Sequence, residues 1–202
     1  MFITFEGIEG SGKSTLLAGI AHRLRQRGYD PVLTREPGGT PLGDLIRDMF
    51  LHARLSVDPL AEAFLINASR AQHVFDVIRP ALAAGRPVLC DRYTDSTLAY
   101  QGYGGGLDLA ELAMLCDAAT GSLAADLTLL ADVAVTTSRS RMATRGTAQD
   151  RVESQDAAFH ERVRTGYLHL ADENPRIVKI DGEKSVEAML DSAWRAMGAL
   201  LA

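Results

Sequence analysis

The sequence predicts a three-layer α/β fold in which a five-stranded parallel sheet lies between helices. Two features of the chain support this prediction. Short apolar segments alternate with longer segments of helical periodicity along the whole sequence. The apolar segments are also nearly continuous, which is typical of strands buried on both faces of a parallel sheet. Ligands should therefore bind at the carboxyl ends of the strands.

The expected elements follow one another without a repeat or a linker rich in Pro, Gly or Ser, so we expect residues 1–202 to form a single domain. The expected strands are residues 2–6, 30–34, 87–91, 125–133 and 176–181. The expected helices are residues 13–27, 41–51, 59–83, 108–120, 135–144, 155–173 and 185–200. The glycine-rich segment 102–106 is expected to be a flexible loop.

Composition and charge narrow the classes of function. The net charge is −5 and no basic block is present, which argues against a general nucleic-acid binder. The chain enters a strand directly, without a signal peptide, and no apolar run approaches the roughly 18 residues that span a bilayer. Cys90 and Cys116 form no CxxC pair, as expected for thiols in a reducing compartment. We therefore expect a cytoplasmic protein without a membrane or nucleic-acid partner.

The segment GIEGSGKST, residues 7–15, is a phosphate-binding loop. Its glycines, Lys13 and Ser14 match the pattern G-x-x-x-x-G-K-[ST], and it lies between an expected strand and an expected helix. Backbone N–H groups of such a loop cradle phosphate oxygens, and the lysine reaches the β- and γ-phosphates. The residues expected to bind the nucleoside triphosphate are Gly7, Glu9, Gly10, Ser11, Gly12, Lys13, Ser14 and Thr15.

A metal site is expected beside this loop. Asp91 ends the third apolar strand, where an acidic residue can hold Mg²⁺ together with the hydroxyl of Ser14. The alternative is that Asp91 caps the following helix. The chain has no N-K-x-D segment of the kind found in GTPases.

Arginines predict a second anion site next to the first. Arg35 follows the second strand, Arg92 follows the third, and Arg47 lies on the helix between them. Because parallel strands end at the same edge of the sheet, the three guanidinium groups should converge on a phosphorylated acceptor. Residues 139–152 form an arginine-rich segment, with Arg141, Arg145 and Arg151, that is expected to be a mobile lid. The alternative for this segment is a solvated basic helix end.

Five segments, spread over nearly the whole chain, resemble the bacterial thymidylate kinase family. They are FEGIEGSGKST, TREPGGT, SRAQHV, VLCDRYTDSTLAYQGYG and RGTAQDRVE. The resemblance implies a P-loop fold that transfers the γ-phosphate of ATP to dTMP, giving dTDP and ADP, with Mg²⁺ as the cofactor. It also implies a homodimer formed through packed helices.

The resemblance implies roles for individual residues. Glu9 matches an acidic residue that approaches the sugar 3′-OH, Arg70 matches the arginine that binds thymine O4, and Tyr100 matches a tyrosine at the sugar 2′ position. The implied dTMP-binding residues are Glu9, Arg35, Arg47, Ile66, Arg70, Arg92, Thr97, Tyr100 and Gln101. The implied catalytic residues are Lys13, Arg92, Arg145, Arg151 and Glu9, with Arg141 assisting at ATP.

One position departs from the family pattern. Where the family usually has a phenylalanine that stacks on thymine, this chain has Ile66. An aliphatic side chain can pack on a base but loses a stacking contribution of about 1 kcal/mol. Phe64 should point to a different side of its helix and should not replace the missing ring.

Three alternative functions remain open on the sequence alone. The first is a deoxynucleoside monophosphate kinase with another base preference. The second is a P-loop ATPase or regulatory module that turns over ATP without an acceptor. The third is a non-enzymatic binding protein that keeps the loop, against which the set of arginines argues.

Overall fold

A computed structural model describes residues 1–52, 57–144, 146 and 150–201 of the chain. Within these residues five parallel strands form one sheet in the order β2-β3-β1-β4-β5, which confirms the predicted sheet. The strands are β1 Phe2–Glu6, β2 Val32–Arg35, β3 Val88–Asp91, β4 Leu127–Asp132 and β5 Ile177–Asp181. Strands β1 and β3, which precede the phosphate loop and Arg92, are neighbours at the centre of the sheet.

The helices follow the predicted order, with one addition. They are α1 Lys13–Gln26, α2 Pro41–His52, α3 Pro59–His73, α4 Arg79–Ala83, α5 Thr94–Thr97, α6 Leu109–Thr120, α7 Val135–Thr144, α8 Ala157–Glu173 and α9 Val186–Ala196. A short 3₁₀ turn, Gly198–Leu200, follows α9. Across the described residues, none of these helices is both long and apolar enough to cross a bilayer.

The helix expected over residues 59–83 is interrupted. A π-helical turn, Val74–Ile78, separates α3 from α4, and Arg79 N–H donates to the carbonyl of Val74 five residues earlier. Pro80 lies in the first turn of α4, where it has no N–H to give and its ring crowds the carbonyl four residues before it. The wider turn relieves this conflict and the chain continues in the same direction.

The prediction of a flexible loop over residues 102–106 is wrong for its first part. Residues Leu98–Gly104 continue α5 as a second π-helical turn, in which Gly102 and Gly104 are buried. Gly104 lies against Phe159 and Val163 of α8. The glycines permit close packing of the turn on α8, so here they indicate contact between elements and not a loop.

The sheet separates two apolar layers. On one face, Ile3 and Phe5 of β1 pack with Leu16 and Ile20 of α1 and with α9. On the other face, Phe2 packs beside the first π-helical turn, while α8 and the second π-helical turn cover β4. The predicted three layers are therefore confirmed.

The face covered by α8 also holds buried polar side chains. Thr4 Oγ1 lies 2.7 Å from Thr128 Oγ1, and Thr128 donates to Asp95. Asp95 accepts two hydrogen bonds from Arg176, at 2.9 and 2.7 Å. Because β1 alternates its side chains, Glu6 points to this same face, one pleat beyond Thr4 and next to the phosphate loop.

The close contact at Gly104 gives a stability prediction. A Cβ at this position would lie 2.8 Å from both Phe159 Cε2 and Val163 Cγ2. Overpacking of this kind costs about 1–3 kcal/mol, so Gly104→Ala should lower the free energy of unfolding by that amount in urea denaturation followed by circular dichroism. The control is Gly198→Ala, whose Cβ would meet nothing within 4 Å. An unchanged midpoint for Gly104→Ala would show that α8 does not pack there as described.

Candidate active site

The phosphate loop depends on glycines at its two ends. Gly7 has a φ of +133°, and a Cβ on it would lie 2.3 Å from the carbonyl oxygen of Ala131. Gly12 caps the start of α1 with a φ of +98°. No other residue fits either position without strain. The loop therefore turns tightly from β1 into α1 and directs the N-terminus of this helix at the cleft beside it.

Lys13 lies folded over the loop. Its Nζ donates to the carbonyl oxygens of Gly7 and Ile8, at 2.9 and 3.0 Å. Burial and the nearby charge of Arg92 lower the pKa of Lys13 to about 8. An anion bound at this position would favour the charged amine and raise this pKa again. The site is therefore positive and incompletely neutralised, as a phosphate site should be.

A cleft of about 620 Å³ opens beside this loop at the carboxyl ends of the strands. Its volume suits a small ligand. Most residues predicted from the sequence line it, namely Glu9, Gly10, Gly12, Lys13, Ser14, Thr15, Arg35, Arg47, Ile66, Arg70, Asp91, Arg92, Thr97, Tyr100, Gln101 and Arg141. Gly7, Ser11 and Arg151 lie outside this lining. Arg145 lies outside the residues that the structure describes.

Ser14 and Asp91 lie together, as predicted for a metal site. Ser14 Oγ donates to Asp91 Oδ2 at 3.4 Å, and Asp91 Oδ1 is buried without a hydrogen-bond partner among the described residues. A hydroxyl and an unpartnered carboxylate oxygen are ligands that Mg²⁺ prefers. The pair therefore fits the cation better than it fits a helix cap, because Asp91 makes no hydrogen bond to the start of α5 within the described chain.

Arg92 occupies the centre of the cleft wall. Its φ of 72° is unusual for a residue with a side chain and costs free energy of order 1 kcal/mol. Its guanidinium group makes short hydrogen bonds, of 2.7 to 3.2 Å, that fix its orientation. The acceptors are Gly7 O, Ser96 Oγ and Tyr167 OH for Nη1, and Glu9 Oε1 and Tyr100 OH for Nη2.

The Glu9 carboxylate faces Arg92 and Tyr100. Its Oε1 accepts from Arg92 at 2.7 Å and from the hydroxyl of Tyr100 at 2.6 Å. Burial tends to raise the pKa of Glu9, but the positive charges of Arg92 and Lys13 lower it below its ordinary value. Its Oε2 lies 3.6 Å from His160 Nδ1, and both atoms are otherwise unpartnered in the described part of the chain. Glu9 is therefore held ionised at the wall that carries Arg92 and Tyr100.

Glu6 lies behind Arg92, out of contact with solvent. Its Oε1 accepts from the backbone N–H of Tyr93 at 2.7 Å, and its Oε2 accepts from Ser96 Oγ and Tyr167 OH at 2.6 and 2.9 Å. Burial, followed by the negative charge of Asp95, raises the pKa of Glu6 to about 7. The ionisable groups that interact with it are Lys13, Cys90, Arg92, Asp95, Tyr167 and Arg176.

Arg35 and Arg47 approach the cleft from its outer side, as predicted. Arg47 donates to the carbonyl of Pro37 at 3.0 Å, and Arg35 lies 3.7 Å from Asp44. Burial, followed by the positive charges of Arg35 and Arg92, lowers the pKa of Arg47. Like charges are thus close enough to repel one another, which supports an anion site between them.

Arg70 is almost completely buried and is neutralised inside the protein. Its Nε donates to Glu36 Oε2 at 2.7 Å, and His73 Nδ1 lies 2.9 Å from Glu36 Oε1. Its Nη1 donates to Asn67 and Thr97, and its Nη2 donates to the carbonyl of Tyr93. One Nη2 hydrogen is left without an acceptor among the described residues, and Arg70 lines the cleft.

Glu36, His73 and Cys90 bring possible metal-ligand atoms within 4.8 Å of one another. These atoms are already engaged in hydrogen bonds. His73 Nε2 lies 2.6 Å from Thr34 Oγ1, its other nitrogen pairs with Glu36, and Cys90 donates to the carbonyl of Arg92. The cluster is therefore a hydrogen-bond network that supports Arg70.

The inner end of the cleft has the properties expected for a base pocket. Ile66 is buried and lines the cleft, whereas Phe64 is 56% exposed and does not. The expectation that Phe64 points elsewhere is thus confirmed. Thr97 and Gln101 lie beside Arg70 at the same end, on α5 and the turn that continues it.

The described parts of the arginine-rich segment lie in two places. Arg141, on α7, donates to the carbonyls of Gly10 and Gly182 and so stands beside the phosphate loop. Arg151 instead pairs with Glu62, donates to the carbonyl of Phe50, and lies 4.6 Å from the Phe50 ring. In this conformation Arg151 is directed at α2 and α3.

The residues that fix the side chains of Arg92 and Arg70 were not predicted from the sequence. Ser96, Tyr167 and Glu6 fix Arg92, and Glu36 fixes Arg70. The available signal was a carboxylate immediately before the loop, at the end of an otherwise apolar strand. Residues 182–189 also contribute to the cleft near Arg141, with Gly182, Lys184, Val186 and Met189.

Comparisons with known proteins agree with this geometry. A family model described as thymidylate kinase matches residues 5–193. The thymidylate kinase of Desulfovibrio desulfuricans is 51% identical over 209 residues, covering 100% of this chain and 96% of that protein. That of Deinococcus radiodurans is 46% identical, with 98% of this chain and 96% of the relative covered. A crystal structure of thymidylate kinase from Ehrlichia chaffeensis is similar with a TM-score of 0.81 at 34% identity, over 98% of each chain.

The environment of Glu6 predicts a pH-dependent contribution to stability. Its pKa is raised from 4.5 to about 7 in the folded protein. Between these values the unfolded chain loses the proton first, so the contribution of Glu6 to stability is lost as the pH rises through this window. Glu6→Gln cannot ionise, so its free energy of unfolding should fall less between pH 5 and pH 8 than that of the unchanged protein.

Urea denaturation at pH 5, 6, 7 and 8 checks this expectation. Glu161→Gln, at an exposed glutamate of α8, is the matched control and should keep the original pH dependence. Equal slopes for Glu6→Gln and the unchanged protein would contradict the raised pKa.

Proposed function

Because this chain belongs to the thymidylate kinase family, we propose that it transfers the γ-phosphoryl group of ATP to dTMP, giving dTDP and ADP. The observation that carries this proposal is the meeting of two anion sites in one cleft. The residues of both sites line the same cleft, in which Lys13 and the loop would form one site, and Arg35, Arg47 and Arg92 would form the other. A donor phosphate and an acceptor phosphate can therefore approach each other directly.

The donor side is built from the phosphate loop. Backbone N–H groups of residues 7–15, the N-terminus of α1 and Lys13 would bind the β- and γ-phosphates of ATP. Arg141 reaches the loop from α7 and stands between it and Gly182. We therefore assign ATP to the half of the cleft lined by the loop, α7 and the segment from Gly182 to Met189.

Ser14 and Asp91 would hold Mg²⁺ at the donor phosphates. When bound, the ion neutralises the charge that develops on the transferring group. The unpartnered Oδ1 of Asp91 supports this assignment, since a buried carboxylate oxygen without a partner is costly.

The acceptor side would bind dTMP by its phosphate, sugar and base. Arg92 and Arg35 would bind the phosphate, with Arg47 nearby. At the base, Ile66 would pack on the ring, and Thr97 and Gln101 would contact its edge. Arg70 would donate its remaining Nη2 hydrogen to the carbonyl at position 4, where cytosine has an amino group.

Glu9 and Tyr100 would define the sugar site. Both contact Arg92, so both stand where the sugar of a nucleotide bound by its phosphate would lie. The ionised carboxylate of Glu9 is a good acceptor for the 3′-OH, and Tyr100 would crowd an added 2′-OH. The contact of Glu9 with Arg92 supports its assignment to the acceptor.

The transfer requires little proton chemistry from the protein. The second pKa of a phosphate monoester is about 6, so dTMP is mainly a dianion at pH 7 and needs no general base. The task of the site is to bring two anions into line and cancel their repulsion. Lys13 and Arg92 would do so from the fixed part of the structure, and Arg145 and Arg151 would do so from the lid after closure.

A panel of acceptors tests the proposed reaction. ADP release should be fastest with dTMP, measurable with dUMP, and far slower with dCMP, because cytosine has an amino group where Arg70 requires a carbonyl. The thymine methyl contributes only about 1–3 kcal/mol of discrimination, so dUMP is the closest competitor. ATP turnover at the same rate without any acceptor would exclude a kinase and favour an ATPase.

We also propose that the protein is a homodimer that acts in the cytoplasm, where ATP and dTMP are available. Helices α2 and α3 pack together and carry exposed apolar side chains, among them Leu45 at 69% and Phe64 at 56% exposure. The spacing of Leu42, Leu45 and Met49 keeps them on one face of α2. An apolar face of this kind supports an interface between copies.

Light scattering in solution tests the dimer. The protein should have twice the chain mass, and Phe64→Glu should give the mass of a single chain because a buried charge opposes association. Tyr29→Glu, a matched aromatic-to-acid change outside α2 and α3, should leave the mass unchanged. A dimer that survives Phe64→Glu would mean that this part of α3 lies outside the interface.

A further inference from the structure

We propose that Glu6 is a positioning residue that holds Arg92 in the orientation needed to bind the acceptor phosphate, through the hydroxyl groups of Ser96 and Tyr167. This inference rests on the proposed function, because it takes Arg92 as a ligand of that phosphate. Glu6 is 0% exposed and does not line the cleft. It can therefore influence a substrate only through other residues.

The hydroxyl groups connect the carboxylate to the guanidinium group. Ser96 Oγ and Tyr167 OH both lie within hydrogen-bond distance of Glu6 Oε2, at 2.6 and 2.9 Å. The same two oxygens accept from Arg92 Nη1, at 3.2 and 3.0 Å. Each hydroxyl has one hydrogen to donate and lone pairs to accept. Donation of both hydrogens to Glu6 leaves both lone-pair sides for Arg92.

This arrangement gives the hydroxyl groups a direction. Ser96 and Tyr167 also lie 2.7 Å apart, so without Glu6 one of them would donate to the other. One hydroxyl would then donate its hydrogen to the other hydroxyl, and the hydrogen of that second hydroxyl would have no fixed acceptor. An acceptor-only carboxylate removes this freedom, because it can receive hydrogens but cannot supply one.

Glu6 also fixes the backbone of the arginine. Its Oε1 accepts from the N–H of Tyr93, the residue that follows Arg92. The left-handed conformation of Arg92 persists only if the surrounding contacts hold it in place. The carboxylate of Glu6 thus holds the peptide bond after Arg92 directly and holds the guanidinium group through the two hydroxyl groups.

Glu6 lies directly before the phosphate loop, so it links the position of Arg92 to the position of that loop. Glu6 precedes Gly7, whose carbonyl oxygen accepts from both Arg92 Nη1 and Lys13 Nζ. The phosphate loop and the acceptor arginine are therefore held by two adjacent residues, the last of β1 and the first of the loop. The distance between donor and acceptor phosphates is set by this short piece of chain.

The experiment compares ligands with and without the phosphate. Binding of dTMP and of thymidine is measured by calorimetry at pH 8, above the pKa of about 7 of Glu6. Glu6→Gln should lower the affinity for dTMP by about 10-fold or more, which is the scale found when a partner that orients a ligand-binding group is removed. Its affinity for thymidine should stay within about 2-fold, because thymidine does not use Arg92. The KM for ATP should also be unchanged.

Asp95→Asn is the matched control. Asp95 is a buried carboxylate close to Glu6, but its partners are Arg176 and Thr128, which do not contact Arg92. This variant should keep the ratio of dTMP to thymidine affinity. Equal losses of both ligands in Glu6→Gln would indicate general damage to the fold and would overturn the inference.

Two further variants separate the possible failures. Arg92→Ala should lower the affinity for dTMP more than the affinity for thymidine. It should also lower kcat/KM by at least about 100-fold. If Arg92→Ala loses affinity for dTMP selectively and Glu6→Gln does not, the inference fails while the proposed function stands. If Arg92→Ala leaves the ratio unchanged, Arg92 does not bind the phosphate and the inference fails, while the proposed reaction is decided separately by the panel of acceptors. Should Glu6→Gln not fold, the double change Ser96→Ala with Tyr167→Phe must give the same selective loss, and a normal ratio there overturns the inference.

Discussion

The partly buried guanidinium group of Arg92 is the interaction on which the cleft depends. A charge that is partly removed from water needs polar partners, and this one has backbone, hydroxyl and carboxylate acceptors. Those acceptors come from the phosphate loop, from α5 and the turn that continues it, and from α8. The elements that bound the acceptor side are therefore held around one side chain. Loss of any one of them would leave a costly unpaired group.

The charge of Arg92 also explains the electrostatics of the cleft. Lys13, Arg47 and Arg92 are close enough that the pKa values of Lys13 and Arg47 are lowered, first by burial and then by neighbouring arginines. Protein groups alone thus leave the cleft with unbalanced positive charge. Bound phosphates would supply the missing negative charge, and positive charge that the fold already holds in place is the main source of catalysis in phosphoryl transfer.

Much of the fold and part of the site could be predicted from the sequence. Strands β1, β3 and β4 are nearly continuous buried runs and the phosphate loop has a fixed spacing, so both are local signals. The segment 102–106 is predicted to be a flexible loop because of its glycines, and only the contact of Gly104 with α8 shows that its first part is packed. The roles of Glu6 and Tyr167 depend on a hydrogen bond between residues 161 positions apart, which no local pattern reveals. The burial of Arg70 against Glu36 is likewise a tertiary contact.

The position of Glu9 is the least expected feature of the loop, and its contacts give it a physical reason. A loop that binds anions would be weakened by a free carboxylate, but the charge of Glu9 is shared with Arg92 and Tyr100. Arg92 Nη2 faces Glu9, while Nη1 faces the hydroxyl groups that Glu6 orients. The arginine is thus held by Glu9 directly on one side and by Glu6 through two hydroxyl groups on the other. An apolar residue at the end of β1 would remove the acceptor that orients the two hydroxyl groups. A loop without Glu9 would remove the carboxylate partner of the guanidinium group. In either case the orientation of the guanidinium group, and with it the distance between the two phosphate sites, would no longer be set by the protein.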